Sequence, residues 1–387
     1  MPDRRQKMAS TITALAPTLF SAAQEVSAEP FGAIDSINAT FDNKGVAKGD
    51  YVKVPVAPAQ SNTSFSASNV YPEGTSVTAS AVSVEITKSQ KNSMVLSGEQ
   101  IASLENGGNY QEWTRQWAAQ AMRALRNEAE TDACAAIYQG ASRASGTAGT
   151  TPFATSLTDL VNVRKILRDN GAPMADLQCV VNTAAESNLL NLGIVQQSFA
   201  AGNNTQLVSG FIDRKFGFQI KASAGIDLHS STAAASYVLD NTVSIPVGTT
   251  ALVTKTGTDA TKVGDAFHIA ADTDNIYIAN ALDALSTTKL ITIGRPGTRE
   301  VYLDDATVTF KGSYTPNLCF ERSAVVGIMR PPRIPENATI KQMMVSDGKG
   351  LTYLFLEISQ YGQISWEMHL AWGFKVVQPE HVAVLIG

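Results

Sequence analysis

Four histidines (His229, His268, His369, His381) and three cysteines (Cys134, Cys179, Cys319) are the residues of this chain best suited to metal binding or nucleophilic chemistry. Their spacing supports neither. No histidine has a second histidine or a cysteine at the short offsets that close a zinc site. The cysteines are far apart and odd in number, which argues against a disulfide framework. They read as small buried hydrophobes of a reducing compartment. Asp272 with Asp274, and Asp304 with Asp305, set carboxylates close together in turn-rich segments. The calcium-loop pattern is absent around them, and acidic pairs in turns ordinarily bond their own backbone. Asp347-Gly348-Lys349-Gly350 lacks the spacing of a phosphate loop and reads as a turn. No Gly-x-Ser-x-Gly elbow occurs. The sequence therefore points away from an enzyme and requires no metal and no cofactor. Only a site dispersed through tertiary structure is left open.

Composition suggests a different role. The chain has 387 residues, 44% hydrophobic and 17% charged, with a net charge of −5. That length implies two or three folding units. Charge is sparser than the roughly 25% of an ordinary soluble domain, and a lightly charged surface suits extensive protein–protein contact. There is no basic tail or Lys/Arg stripe, so sequence-specific reading of nucleic acid is not expected. No apolar run reaches the ~18 residues of a membrane-spanning helix. Arg4, Arg5 and Lys7 precede a mildly apolar stretch, but Thr11, Thr13, Pro17, Thr18 and Ser21 interrupt it, which makes a poor secretion signal. Met8 reads as a natural start, with residues 1–7 an upstream extension.

Periodicity organises the rest. Residues 1–48 form a low-charge arm with a short amphipathic helix over 9–25, suited to lying on another surface. Between Gly49 and Lys88, Val52, Val54 and Val56 alternate with their neighbours, as do Val82, Val84 and Ile86, which marks a long hairpin. A two-stranded hairpin is marginal alone in water, so this one is expected to lean on something outside its own core. Trp113, Trp117, Ala121, Leu125, Ala129, Ala133 and Ile137 recur every four residues and predict a long helix over Asn109–Gln139. Gly107 and Gly108 precede it and Gly140 ends it. Trp113, Trp117 and Leu125 are its core stripe; Glu112, Arg115, Arg123, Arg126, Glu130 and Asp132 are left for its other faces.

Further on, a helix is expected over 156–170, a buried strand over Leu177–Val181 and a short helix near Ala184–Leu192. Short β-rich runs follow at Ala251–Val253, Ala266–Ile269, Ile276–Ile278, Leu290–Ile293, Val301–Leu303 and Thr307–Phe310. Turns are expected at Thr256-Gly257, Asp274-Asn275, Pro296-Gly297 and Asp304-Asp305. Such even spacing predicts a small Greek-key or barrel unit, the alternative being strands of one large sheet. Residues 350–361 and 363–377 alternate as a hairpin about Tyr361-Gly362, and the chain ends in the apolar run Val382–Gly387.

The most informative stretch is Asn-Leu-Cys-Phe-Glu-Arg-Ser-Ala-Val-Val-Gly-Ile-Met-Arg-Pro-Pro, Asn317–Pro332. Physically it reads as a core strand, entered from a Pro316 turn and stopped by Pro331-Pro332, since proline neither donates to a ladder nor continues a helix. The run also resembles the Asn-Leu-x-Phe-x-(Arg/His)-x-Ala…Arg-Pro signature of the coat proteins of short-tailed phages. Those are capsid proteins of the HK97 fold, some with an inserted β domain. Asn182 after a buried strand, Val208–Asp213, Phe218–Ser223, Val263–Ile269 and Pro379-Glu380 resemble further steps of the family, although its proline after Asn182 is missing here.

That resemblance implies an α+β protein with an HK97-like capsid fold. Its parts would be an N-terminal arm (1–48), an extended E-loop hairpin (49–88), a peripheral domain with a spine helix (89–155) and an axial domain (156–240). An inserted β domain, a small β-barrel (241–310), and axial/peripheral return strands (311–387) would complete it. The function implied is a major capsid protein. It would self-assemble into pentamers and hexamers of an icosahedral shell and enclose packaged double-stranded DNA without sequence-specific contact. Tyr51, Lys53, Glu73, Glu85 and Lys88 would meet a neighbouring subunit. Gly49, Gly107, Gly108 and Gly140, with Ser89–Asn92, are hinge candidates for shell expansion. A scaffolding protein and a portal are expected partners, a decoration protein is a further candidate, and no membrane is involved. The expected location is the virion, after assembly in the host cytoplasm. The competing reading, a secreted or surface adhesin-like β protein, would want a signal peptide and has no use for a long tryptophan-bearing helix.

Overall fold

A computed structural model describes residues 11–28, 31–41, 46–56, 80–196, 214–231, 237–240, 244–256, 261–270, 272–284, 289–334, 340–347 and 349–387, with positions 62, 64, 65, 67 and 212. Its longest element is helix α3, Tyr110–Gln139, about 45 Å long at 1.5 Å per residue. The four-residue stripe read from the sequence is its buried face: Ala118, Ala121, Met122, Leu125, Ala129, Ala133 and Ile137 are all buried. Trp113 and Trp117 sit half-buried at the edge of that face. The Trp117 ring meets Phe355 edge-on, with centroids 6.5 Å apart, and tilts over Trp366 at 5.9 Å. Gly140 caps the end, its N–H donating to the Ala136 carbonyl. A separate helix, α2 (Gly98–Asn106), precedes it, started by a capping box between Ser97 and Gln100 that the hydrophobic pattern did not reveal.

The arm helix α1 (Thr11–Ala28) lies in the same core. Leu15, Leu19, Ala22, Ala23 and Val26 pack with Ala118, Met122 and Leu125. This contact corrects one expectation. Arg126 and Glu130 do not face solvent; only 1% and 3% of their surfaces are exposed, because the chain leaving α1 wraps over that side of α3. The Arg126 guanidinium sits 4.0 Å from the Phe31 ring centroid. It donates to the Val26 carbonyl at 3.3 Å and to Asp35 at 3.4 Å, and lies 3.7 Å from the Asp347 carboxylate. Glu130 accepts from the Ala33 and Ile34 amides at 2.6 and 2.9 Å and from the Ser223 hydroxyl at 2.7 Å. A turn closes where expected, the Gly350 amide donating to the Asp347 carbonyl, but Asp347 is buried there and its carboxylate accepts from the Lys349 and Leu351 amides. Burial pushes the Asp347 carboxyl up, against the pull of those amides and Arg126.

Two sheets flank this helix pair. The first runs β1 (Asn38–Phe41), β15 (Val325–Arg330), β18 (Gln363–Val376), β17 (Thr352–Gln360), β16 (Lys341–Ser346), with β4 (Lys88–Ser97) on the other side of β18. The 14-residue β18 can serve three partners because β17 takes its first half, β15 its second, and β4 pairs along the opposite side. Tyr353, Phe355, Trp366, Met368, Leu370 and Trp372 turn one face of this sheet onto α1 and α3. Strand β4 was absent from the sequence reading, since its polar run Lys88–Asn92 carries no apolar alternation.

The second sheet centres on β5 (Arg143–Gly146), β19 (Val382–Ile386), β14 (Pro316–Glu321), β6 (Leu177–Val181) and β7 (Phe218–Ala222). Every residue of β6, β14 and β19 is buried. Helices α4 (Thr158–Asp169) and α5 (Thr183–Asn191) fall close to where the sequence put helices, and a further turn of helix, α6 (Gly193–Gln196), was not expected. The Val208–Asp213 resemblance lies outside the described residues apart from Ile212.

Residues 237–310 extend this sheet and also close on themselves. β8 (Tyr237–Leu239), β9 (Ala251–Thr256), β12 (Lys289–Ile293), β11 (Asp272–Ala284), β10 (Ala266–Ile269) and β13 (Thr307–Phe310) pair in a circuit that returns to β8, antiparallel throughout. Inside lie Tyr237, Leu252, Phe267, Ile269, Tyr277, Ile291 and Tyr302. β11 also pairs with β5, so the unit is continuous with the large sheet. The unit starts before residue 241, and two local expectations fail. Asp274-Asn275 is inside β11, where Asp272 accepts from the Asn275 amide, and the reversal falls earlier, between Ile269 and Asp272. Of Val301–Leu303 only Tyr302 pairs, as a single bridge to Ile245.

The ionic contact between arm and helix yields a prediction. Arg126→Ala leaves Asp35 and the buried Asp347 without their shared cation, and should lower stability by about 3–5 kcal/mol. Glu112→Gln on the exposed face should stay within about 0.5 kcal/mol of the parent. Urea unfolding of the isolated chain distinguishes the two, and equal midpoints would contradict the assignment.

Candidate assembly interface

Asn317–Pro332 is not one strand. It runs as β14 in the large sheet, one 3-10 turn (Arg322–Ala324), then β15 in the six-stranded sheet. The expectation of a single strand fails because Glu321 stops the first ladder: its carboxylate accepts from the Ser323 amide at 2.9 Å and from the Ser323 hydroxyl. The run is thus one covalent step between the two sheets, as is the passage from β18 to β19 through the 3-10 turn Pro379–His381. Its residues have separate tasks. Asn317 is fully buried; its Oδ1 accepts from the Asn182 amide at 2.9 Å and its Nδ2 donates to the Leu385 carbonyl at 3.2 Å. Asn182 in turn caps α5 by accepting from the Ala185 amide at 2.8 Å. The two asparagines singled out by resemblance therefore touch. Leu318, Cys319 and Phe320 fill the core. Arg322 reaches the arm, donating to the Asp35 and Ile37 carbonyls at 3.3 and 3.5 Å. The Ala324 carbonyl accepts from Val377, and the Pro331 carbonyl from Val46.

The hairpin stands on this frame. β2 (Tyr51–Val56) and β3 (Ser80–Glu85) pair in the register Tyr51↔Glu85 through Val56↔Ser80. Its base does not depend on an outside surface: Val84 and Ile86 bury against Val326, Ile328, Ala371 and Val377 of the chain's own sheet. Gly373 permits the approach, since a Cβ there would lie 1.9 Å from the Glu85 carbonyl oxygen. Above the base, Val52, Val54, Val56 and Val82 are only half-covered. Tyr51, Lys53 and Glu85 are exposed, with the Lys53 ammonium 5.8 Å from the Tyr51 ring. Glu73 lies outside the described residues. Phe65, in the same connection, is 94% exposed. Lys88 is not on the hairpin; it opens β4 and pairs with Asp132 at 2.9 Å and Glu128 at 3.4 Å on α3 of its own chain.

The glycines divide by surroundings. Gly49 and Gly108 have φ of +93° and +70° with open space around them. Gly107 is near-helical at −76°. Gly140 is closely packed, a Cβ there falling 2.6 Å from a Val376 methyl.

Among the described residues, no group of three or more histidine, cysteine, aspartate or glutamate side chains could hold a metal ion. The pair that most resembles a catalytic dyad is His229 Nε2 with Asp265 Oδ1 at 2.8 Å, a contact that sequence spacing gave no sign of. The other ring nitrogen meets the Tyr138 hydroxyl at 3.2 Å, and the pair is 6% and 0% exposed. Burial pushes the Tyr138 and Tyr314 hydroxyls up, so they stay protonated. The cluster joins α3 to the closed six-stranded unit, and it is tightly packed: a Cβ at Gly264 would meet both Tyr138 and His229. His369 is half-buried against Glu367 at 2.9 Å, and burial pushes its imidazole down.

Gly373→Ala isolates the hairpin seat. The added methyl should lever β3 off the sheet at a cost of about 1–3 kcal/mol. Hydrogen exchange should quicken at the Gly49 and Ile86 amides, which bond across the hairpin base, while the amides of α3 keep their rates. Unchanged exchange at the base would contradict this seating.

No protein-family model and no curated protein matches the sequence. Solved structures do. The capsid structure of the cyanophage P-SCSP1u aligns with a TM-score of 0.50 at 12% identity, over 92% of this chain and 88% of that one. A Mycobacterium phage Che8 structure aligns at 0.48 and 13%, over 87% and 85%. The mature capsid of bacteriophage PhiM1 aligns at 0.46 and 10%, over 92% and 88%. The likeness to the cyanophage structure, at this identity, speaks to architecture: the chain has the fold of a phage capsid protein.

Proposed function

We propose that this chain is the major capsid protein of a tailed phage, acting by assembly and not by catalysis. The observation that carries the reading is a capsid fold whose hairpin projects half-covered valines and an exposed Tyr51 beyond the chain's own core. A strand pair with one seated end and one uncovered end gains burial only from another molecule. A second copy of the chain is the natural occupant, because heterologous contacts between identical subunits close into rings. Pentamers and hexamers of one sequence would then build the icosahedral shell. Stable contacts of this kind bury well over about 1,000 Å² each, an area to which the hairpin and the lightly charged surface would both contribute.

The remaining assignments follow from that reading. Residues 1–48 act as the arm, 49–88 as the E-loop, 89–155 as the peripheral domain, 156–236 as the axial domain, four residues shorter than expected from the sequence, and 311–387 as the return strands. The closed strand circuit over 237–310 acts as an inserted β-barrel domain, with its own aromatic core for support. The net charge of −5 and the lack of a basic stripe suit a wall that encloses double-stranded DNA without gripping it. A scaffolding protein and a portal would direct closure, a decoration protein would bind outside, and the product would be a virion assembled in the host cytoplasm. Gly49 and Gly108 have the open surroundings that a hinge for shell expansion needs; Gly107 and Gly140 would follow as the adjoining helix ends.

Three outcomes are expected. Expression with a candidate scaffolding protein should give closed shells or ring-shaped capsomers by negative-stain microscopy, and a monodisperse monomer under every condition would sink the proposal. Tyr51→Ala with Lys53→Glu should leave the unfolding midpoint of the free chain within about 0.5 kcal/mol yet reduce the sedimenting fraction severalfold. Gly107→Ala with Gly108→Ala should yield shells that assemble but fail to expand, read as an unchanged particle diameter.

A further inference from the structure

Cys179 and Cys319 are 140 residues apart in sequence, yet their Sγ atoms lie 3.0 Å apart in the structure. They are directly opposed partners on the antiparallel strands β6 and β14. Opposed residues on such strands hold their Cα atoms about 4.5–5.5 Å apart, inside the roughly 4.4–6.8 Å span that a disulfide bridges. Both side chains are fully buried in one core cluster, while Cys134 belongs to another. The sulfurs are already in contact, so bond formation needs a small side-chain rotation and no movement of either strand.

We propose that Cys179 and Cys319 are a modification site: a latent cross-strand disulfide, closed by a hydroperoxide oxidant once the chain leaves a reducing compartment. One thiol, deprotonated during a local opening, attacks a peroxide oxygen, forming a sulfenic acid and releasing water after protonation. The second thiol displaces the sulfenic hydroxyl, giving the S–S bond and a second water. Two thiols are oxidised and one hydrogen peroxide is reduced to two waters. The position gives the bond a purpose. Strands β6 and β14 bracket the whole segment that contains β7 and the closed unit from β8 to β13. The bridge would tie the chain's departure into that unit to its return, and would restrict the unfolded chain over a very long loop. Full burial keeps the thiols reduced until the strands breathe, and would then shield the finished bond from reductants.

The test uses the reduced full-length chain, treated with hydrogen peroxide, then denatured in the presence of a thiol-alkylating reagent and weighed intact. The proposal expects labels to fall from three to one, a mass loss of two hydrogens, and a Cys179–Cys319 cross-linked peptide on digestion. Cys134→Ser should go from two labels to none. Cys319→Ser should form no cross-link. Three labels retained at a dose that fully oxidises dithiothreitol would overturn it. So would oxygen addition at either thiol without a bridge, or a link to Cys134 or to a second chain. Because the readout is made on single chains, its result stands apart from whether the protein assembles.

Discussion

The two sheets of this fold are joined by short links, and the one that carries the most buried polar contacts follows β14. Between β14 and β15 the chain passes from one sheet to the other through a single 3-10 turn. Neither sheet can shift alone, because the link is anchored at both ends by groups that have no water to fall back on. Asn317 binds Asn182 and Leu385 on one side, and the Ala324 carbonyl binds Val377 on the other. A buried polar group that loses its partner is left unpaired at a cost of about 1–3 kcal/mol. The link therefore behaves as a rigid corner. It fixes the angle between a sheet that seats the hairpin and a sheet that carries the closed strand unit.

The second constraint is the arm. Apolar packing alone would let α1 slide along α3, since alanine and leucine contacts have little directionality. Arg126 and Glu130 supply the direction. Glu130 takes the amides of Ala33 and Ile34, and Arg126 holds the carbonyl of Val26 and the carboxylate of Asp35. Lys349, 2.7 Å from Asp35, and Arg322 extend the same grip to both sheets. The described residues of α1 and of 31–39 are thus part of the chain's own core. On the assembly proposal, the surface left for a second copy includes the hairpin above its seat.

Much of this was legible in the sequence, and the failures have physical causes. The stripe from Trp113 to Ile137, the alternation of β17 and β18 and the strand pairs of the hairpin were readable because each buries one regular face. Arg126 and Glu130 were misplaced because a helix pattern shows which residues are apolar, not which charged residues will be covered by another segment. Strand β4 was invisible because its first residues are polar and gain their place from pairing with β18. The signature run was misread as one strand because both halves are apolar, and the break depends on one local contact from Glu321 to Ser323. The seat of the hairpin on Gly373 and the meeting of Cys179 with Cys319 carry no local signal at all. Both join residues far apart along the chain, and only the folded topology brings them together.

The central claim is that the uncovered part of the hairpin is completed by a second copy of this chain. Hydrogen exchange, measured on assembled particles and on free subunits, tests it most directly. The account predicts strong added protection at the β2 and β3 amides on assembly, with the amides of β6, β14 and β19 unchanged because they are already buried. Equal exchange at β2 and β3 in both states would contradict it and would move the contact surface elsewhere on the molecule.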